Sequence, residues 1–243
     1  TITNYVSSGT FDDGYPIFPG HENDLVAWYK FDDATNINYD SISKANVGTV
    51  HNSGSVSSST TNVRGTNSIY FSGNSTSTTA DGFYLDLNIS TETIFANLTS
   101  NSFSIVFWFN FVSSGGSTGG KMFNLFNKIR LENTNADFTC DGTSVSSAFT
   151  TNTYYHLSII LDNISQTIKV YVDGMYREDL SSLSSDFSTL FANNYIYLGG
   201  HDSKKRSAEG YLDDFRIYDK ALSETEVKQI YGYTLSRQQG RIS

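Results

Sequence analysis

From Asp24 onward, short runs of alternating apolar and polar residues recur between polar loops: Leu25 to Phe31, Ser68 to Phe71, Phe83 to Leu87, Phe103 to Val112, Met122 to Leu131, Tyr154 to Leu161, Ile168 to Val172, Tyr195 to Leu198 and Tyr211 to Tyr218. A period of two marks a strand with one buried face, so these runs predict at least nine strands. The clearest is Phe103 to Phe111, where Phe103, Ile105, Phe107, Phe109 and Phe111 share one parity and should face the core. Ile164-Ser165-Gln166 separates two alternating runs and reads as a hairpin loop, and Asp173-Gly174 supplies the next turn.

One helix is predicted, over about 223 to 232. Ser223-Glu224-Thr225-Glu226 fits a capping box, Val227, Ile230 and Tyr231 follow at helical spacing, and Gly232 is a stop signal. Many strands and one helix give an all-β fold, a two-sheet antiparallel β-sandwich with a short C-terminal helix. Three regions follow: an extended arm over 1–22, which holds both prolines, Pro16 and Pro19; the sandwich over 23–234; and a tail or linker over 235–243. The chain begins at Thr1 without a signal-like segment and reads as an excerpt.

Composition narrows the chemistry. Ser, Thr and Asn number 35, 25 and 21, a third of 243 residues, while 17 Phe and 16 Tyr supply the apolar area a core needs. A net charge of -9, with 16 scattered Lys and Arg, offers no footprint for nucleic acid. No apolar run approaches the ~20 residues of a membrane-spanning helix, so no membrane insertion is expected. The lone cysteine, Cys140, excludes an internal disulfide and a multi-cysteine zinc site, so any metal would be held by oxygen.

Six ordered blocks carry a family resemblance: Leu25-Val26-Ala27-Trp28-Tyr29-Lys30-Phe31-Asp32-Asp33; Asp40-Ser41 with Asn46-Val47-Gly48-Thr49-Val50; Ser102 to Phe109; Tyr155-His156-Leu157; Val170-Tyr171-Val172-Asp173-Gly174; and Gly210 to Tyr218 followed by Ala221-Leu222-Ser223 and Glu226. Together they resemble the laminin G-like, concanavalin A-like lectin and glucanase superfamily. The resemblance implies a jelly roll, frequently a carbohydrate-binding or adhesion module, frequently with a structural calcium ion. Asp40-Ser41-Ile42-Ser43 departs from the family pattern by lacking its glycine.

Hydrolases of that superfamily set paired carboxylates along one strand as Glu-x-Asp-x-Glu, and this chain has no such spacing. Its acidic pairs Asp12-Asp13, Asp32-Asp33, Glu178-Asp179 and Asp213-Asp214 are adjacent residues, which point to opposite faces of a strand. His21, His51, His156 and His201 lie in separate segments and complete no triad. The chain is therefore expected not to be an enzyme.

If Phe215 and Ile217 define the inward parity of the last strand, Asp213 shares it, and an inward carboxylate needs compensation. One reading gives it calcium, with Asp33, Asp213 and Asp32 as ligands. The other gives it backbone amides, with Arg216 pairing a neighbouring acid. Candidate glycan contacts are Asn74, Asn124, His201, Asp202 and Arg206, with Lys204 and Lys205 beside them and Tyr84 and Tyr176 as aromatic platforms. Asn74, Asn88, Asn97 and Asn163 begin Asn-x-Ser/Thr sequons, which suggest exposed loops. The leading functional expectation is a non-catalytic carbohydrate-binding or adhesion module, extracellular or on a particle surface, whose partner is a glycan or surface glycoprotein. The alternatives are a structural component of a virion or other particle, contacting its other proteins through the N-terminal arm, and an accessory domain of a glycan-active enzyme.

Overall fold

The structure, a computed structural model, describes residues 24–51, 56–73, 84–87, 102–113, 120–126, 129–132, 137–140, 143–145, 149–179, 195–200 and 207–239. The arm over 1–22 lies outside them. The strands in chain order are β1 (Leu25–Tyr29), β2 (Tyr39–Asp40), β3 (Ala45–Asn46), β4 (Thr49–His51), β5 (Val56–Ser59), β6 (Ser68–Ser72), β7 (Tyr84–Asp86), β8 (Phe103–Phe111) and β9 (Lys121–Leu125). Then come β10 (Ile129–Glu132), β11 (Asp137–Cys140), β12 (Thr143–Val145), β13 (Tyr155–Asp162), β14 (Thr167–Val172), β15 (Met175–Asp179), β16 (Ile196–Leu198) and β17 (Glu209–Tyr218), followed by helix α1 (Glu224–Gln239).

Two antiparallel sheets form the expected sandwich. The eight-stranded sheet runs β15-β14-β13-β8-β17-β6-β5, and the seven-stranded sheet runs β12-β11-β10-β9-β16-β7-β4. One edge of β17 is shared: its first half pairs with β6 and its second half with β1. Between the sheets lie Phe103, Ile105, Phe107, Phe109 and Phe111 of β8, all on the predicted parity. The opposite parity of β8 is buried as well, because Val106 and Trp108 lie under a second apolar layer. That layer is supplied by Trp28, Ile160, Tyr171 and Tyr218 with Val227 and Ile230 of α1, and Trp108 packs 5.8 Å from the ring of Tyr231.

Local chemistry explains the turns and the helix start. Asp173 and Gly174 both take positive φ, 51° and 71°, as a two-residue hairpin turn demands. In the β13–β14 loop the Asp162 carboxylate accepts from the Ile164 and Ser165 amides and from the Ser165 hydroxyl. The capping box forms as expected: the Glu226 amide donates to Ser223 Oγ at 3.3 Å and the Ser223 amide to Glu226 Oε2 at 2.6 Å.

Three readings are corrected. The helix continues to Gln239, so residues 235–239 belong to it. Gly232 does not end it: a Cβ there would point into open space, and a solvent-facing glycine inside a helix costs only about 1 kcal/mol. The run Met122 to Leu131 is a hairpin of two strands, folded back where Phe126 takes a φ of 55°. Asp213 does not share the parity of Phe215: the β17–β8 register slips between Asp213 and Arg216, where Asp214 has a φ of 52°, and this bulge inserts a residue. Leu212, before the bulge, and Phe215, after it, both face the core, whereas Asp213 opposes Trp108 on the outer side.

Candidate functional site

The seven-stranded sheet carries two adjacent rows of opposite character. Val50, Leu85, Leu198, Phe123 and Leu131 are in register across β4, β7, β16, β9 and β10 and fill the core. One residue away on each strand, and therefore on the other face, lie Thr49, Asp86, Tyr197, Asn124 and Arg130, with Thr139 of β11 next in line.

Aromatic rings continue this outer face. His51 stacks on Tyr84 at 4.4 Å, Tyr84 meets Tyr197 at 4.8 Å, and Tyr197 stacks on Tyr195 at 4.3 Å. Charge gathers next to them. The β9–β10 register slips at Met122, so Lys121 opposes Glu132 and pairs with it at 2.5 Å. Arg130 Nε lies 3.2 Å from Glu132 Oε1, and Thr139 Oγ1 donates to the same oxygen. Between the aromatic and charged halves sits Asn124, fully buried, with neither its amide oxygen nor its amide nitrogen paired among the described residues. Leaving such a group unpaired costs about 1–3 kcal/mol.

The acidic residues singled out in the sequence have other surroundings. Asp213 is fully buried, and its Oδ2 accepts the amides of Val63 and Arg64 at 2.9 and 2.8 Å, while Oδ1 has no hydrogen-bond partner among the described residues. Burial, reinforced by the neighbouring Asp214, raises its carboxyl well above the usual range. Asp32 accepts the amides of Thr66 and Asn67 in the same loop. Asp33 faces its own turn, where Thr35 and Asn36 occupy both its oxygens; the side-chain bonds from Asn36 and Thr35 hold it at about 2. Calcium seeks six to eight oxygens. Among the described residues no group of three or more His, Cys, Asp or Glu could hold a metal: Asp33 is taken up by its own turn, while Asp32 and Asp213 accept amides of the 63–67 loop.

Asp214 is a buried anchor instead. Arg216 binds it through two nitrogens at 3.0 and 2.8 Å, Trp28 Nε1 donates at 2.6 Å, and Arg64 approaches to 3.3 Å. Burial alone would raise this carboxyl, but the two guanidinium groups outweigh it and hold it below the usual range. Both guanidinium groups also lie over the Trp28 ring. Arg216 thus pairs with a neighbouring acid, though inside the protein rather than on its surface.

Of the expected glycan contacts, Tyr84 and Asn124 come together on the outer face, both on strands rather than loops. Tyr176 stands apart, half-exposed on the edge strand of the other sheet. Asn74, His201, Asp202 and Arg206 lie outside the described residues, as do Lys204, Lys205, Asn88 and Asn97. The sequence reading missed Tyr195, Tyr197, His51 and Arg130. Tyr195 and Tyr197 alternate with Ile196 and Leu198, and that parity was the available signal.

Comparison with known proteins places this fold. Domain 4 of AbnA, an extracellular GH43 arabinanase from Geobacillus stearothermophilus solved with arabinotriose, superposes with a TM-score of 0.53 at 18% identity, over 85% of this chain and 98% of that one. The botulinum neurotoxin serotype D binding domain gives 0.57 at 16% identity, over 87% of this chain and 52% of its own. Trypanosoma rangeli sialidase, solved with the inhibitor DANA, gives 0.55 at 14% identity, over 85% of this chain and 32% of its own. The chain therefore spans about half of the toxin domain and a third of the sialidase. None of the curated protein sequences matches it. A laminin G-type family model does, over residues 85–228 and so over more than half the chain, and on that match the protein belongs to the concanavalin A-like lectin/glucanases superfamily.

Proposed function

We propose that this chain is a non-catalytic carbohydrate-binding module of a secreted or surface protein, and that it takes a glycan on the outer face of its seven-stranded sheet. The observation that carries this reading is the partly exposed row of Tyr195, Tyr197 and Arg130 around Asn124, whose buried amide has no partner among the described residues. Sugar recognition needs apolar ring faces and fixed donors and acceptors for hydroxyls; the partly exposed rings of Tyr195 and Tyr197 supply the first and Arg130 a donor, with buried Tyr84 packed beneath Tyr197. The arabinanase domain solved with arabinotriose, of nearly the same extent as this chain, supports a sugar as the ligand. The non-catalytic part of the reading is supported by the lack of a Glu-x-Asp-x-Glu spacing in the chain and by Glu132, near Asn124, being held by Lys121 and Arg130 and so poorly placed to move a proton. No helix among the described residues is long and apolar enough to cross a membrane.

A glycan array followed by calorimetry on the strongest hit tests the proposal. Asn124→Ala and Tyr197→Ala should each weaken binding at least tenfold without changing the melting temperature by more than a few degrees. An array without hits, or hits unaffected by both substitutions, would refute it. Turnover of a bound polysaccharide that a single Asp or Glu substitution abolishes would overturn the non-catalytic part.

A further inference from the structure

A cavity of about 260 Å³ opens at the side of the sandwich where β4, the last strand of one sheet, meets β5, the last strand of the other. Ala34, Ile37 and Val50 give it apolar walls, and Thr35, Asn38 and Ser58 give it polar ones, with Ser57 at its margin. Ser58 opposes the core residue Ile69 in the β5–β6 register and so points inward, where its hydroxyl is buried without a hydrogen-bond partner among the described residues. The outer wall is already fixed. Asp33 pins Thr35 and Asn36 through four hydrogen bonds, and Asn38 is tied to the strand side, its Nδ2 donating to the Gly48 carbonyl and its own carbonyl accepting from Val47.

We infer that this edge cavity is a second ligand site, built for one hydroxyl-bearing ring of the size of a monosaccharide. Its volume equals that of about nine water molecules at ~30 Å³ each. Methyl-bearing walls suit the C–H face of such a ring, and Thr35, whose hydroxyl can accept while it donates to Asp33, and the Asn38 amide suit its hydroxyls. Because Asp33 sets the wall before any ligand arrives, binding need not order the loop, which removes one of the usual costs. The site does not depend on the outer sheet face: Val50 lines the cavity from the core side of β4, whereas His51 and Thr49 face the other way.

The test is a two-dimensional amide NMR titration of the full chain with glucose, galactose, arabinose and N-acetylglucosamine in turn, into the millimolar range. It is run on the wild type, on Ala34→Trp, which fills the mouth from an exposed position, and on Asn124→Ala. Saturable shifts at Thr35, Ile37, Asn38 and Ser58 with at least one sugar, kept in Asn124→Ala and lost in Ala34→Trp, are expected. Shifts confined to Tyr197, Asn124 and Arg130 would leave the sheet-face proposal standing and overturn this one. The absence of saturable cavity shifts with every sugar, or cavity shifts undiminished in Ala34→Trp, would overturn it as well.

Discussion

His156 should make this protein sensitive to mild acid. Its ring is buried between Trp108, 5.1 Å away, and Tyr231 of α1, 5.7 Å away, and its Nδ1 has no hydrogen-bond partner among the described residues. Burial holds its pKa down to about 3 from 6.5; Asp214 pulls the other way, and Arg216 lowers it further. The unfolded chain takes up the proton near pH 6.5 and the folded chain only near pH 3, so between these values the unfolded state binds more protons and stability falls as pH falls. At 1.36 kcal/mol per unit, the loss relative to pH 8 is about 2 kcal/mol at pH 5 and about 3 kcal/mol at pH 4. For a chain of this length the loss at pH 5 corresponds to about 4–8 °C in melting temperature. His156→Met removes the titrating group and keeps a pliant apolar filler against Trp108 and Tyr231. Melting temperatures and urea midpoints of both proteins at pH 8, 5 and 4 isolate the effect, since every carboxylate is common to the two. The gap between them should shift in favour of the variant as pH falls. Parallel curves from pH 8 to pH 4 would show that the folded chain protonates His156 without penalty and would refute the reasoning.

Asp214→Asn leaves the Arg216 and Arg64 guanidinium groups buried without their shared charge, so denaturant unfolding should show a loss of about 3–5 kcal/mol, and a loss under about 1 kcal/mol would contradict the anchor assigned to it. Asp213→Asn should cost little at neutral pH, because burial already favours the uncharged carboxyl and the amide oxygen can still accept from Val63 and Arg64. In the same experiment the wild type should melt alike in calcium and in EDTA. A calcium-dependent rise lost in the variant would show a metal held through Asp213, at about 2.7 kcal/mol for a hundredfold excess over Kd. Gly65→Ala should lower the urea midpoint by the equivalent of about 1–3 kcal/mol, because Gly65 has a φ of +68° and a Cβ there would run into the Asp32 carboxylate; an unchanged midpoint would mean that the loop yields freely.

What the sequence determined by itself was the local part of the structure. Alternation at Phe103, Ile105, Phe107 and Phe109 identified the residues between the sheets, because a strand cannot turn one of them away without turning all. Ser223 with Glu226, and Asp173 with Gly174, set a helix start and a turn through bonds and dihedrals a few residues long. Tyr84 and Asn124 were legible as candidate contacts by residue type, though not as partners. Only the tertiary structure decided the rest. A single bulge residue reverses parity downstream, which moved Asp213 to the outer side and Lys121 towards Glu132, and short-range pattern cannot locate such an insertion. Burial of Val106, Trp108 and His156 depended on where α1 comes to rest, since alternation names the two faces of a strand but not what covers them. The candidate site lines up Thr49, Asp86, Tyr197, Asn124 and Arg130 in an order unrelated to their order in the chain. Strand order in a sheet is set by which long loops close and which cores they bury together, a non-local choice that no stretch of sequence carries alone.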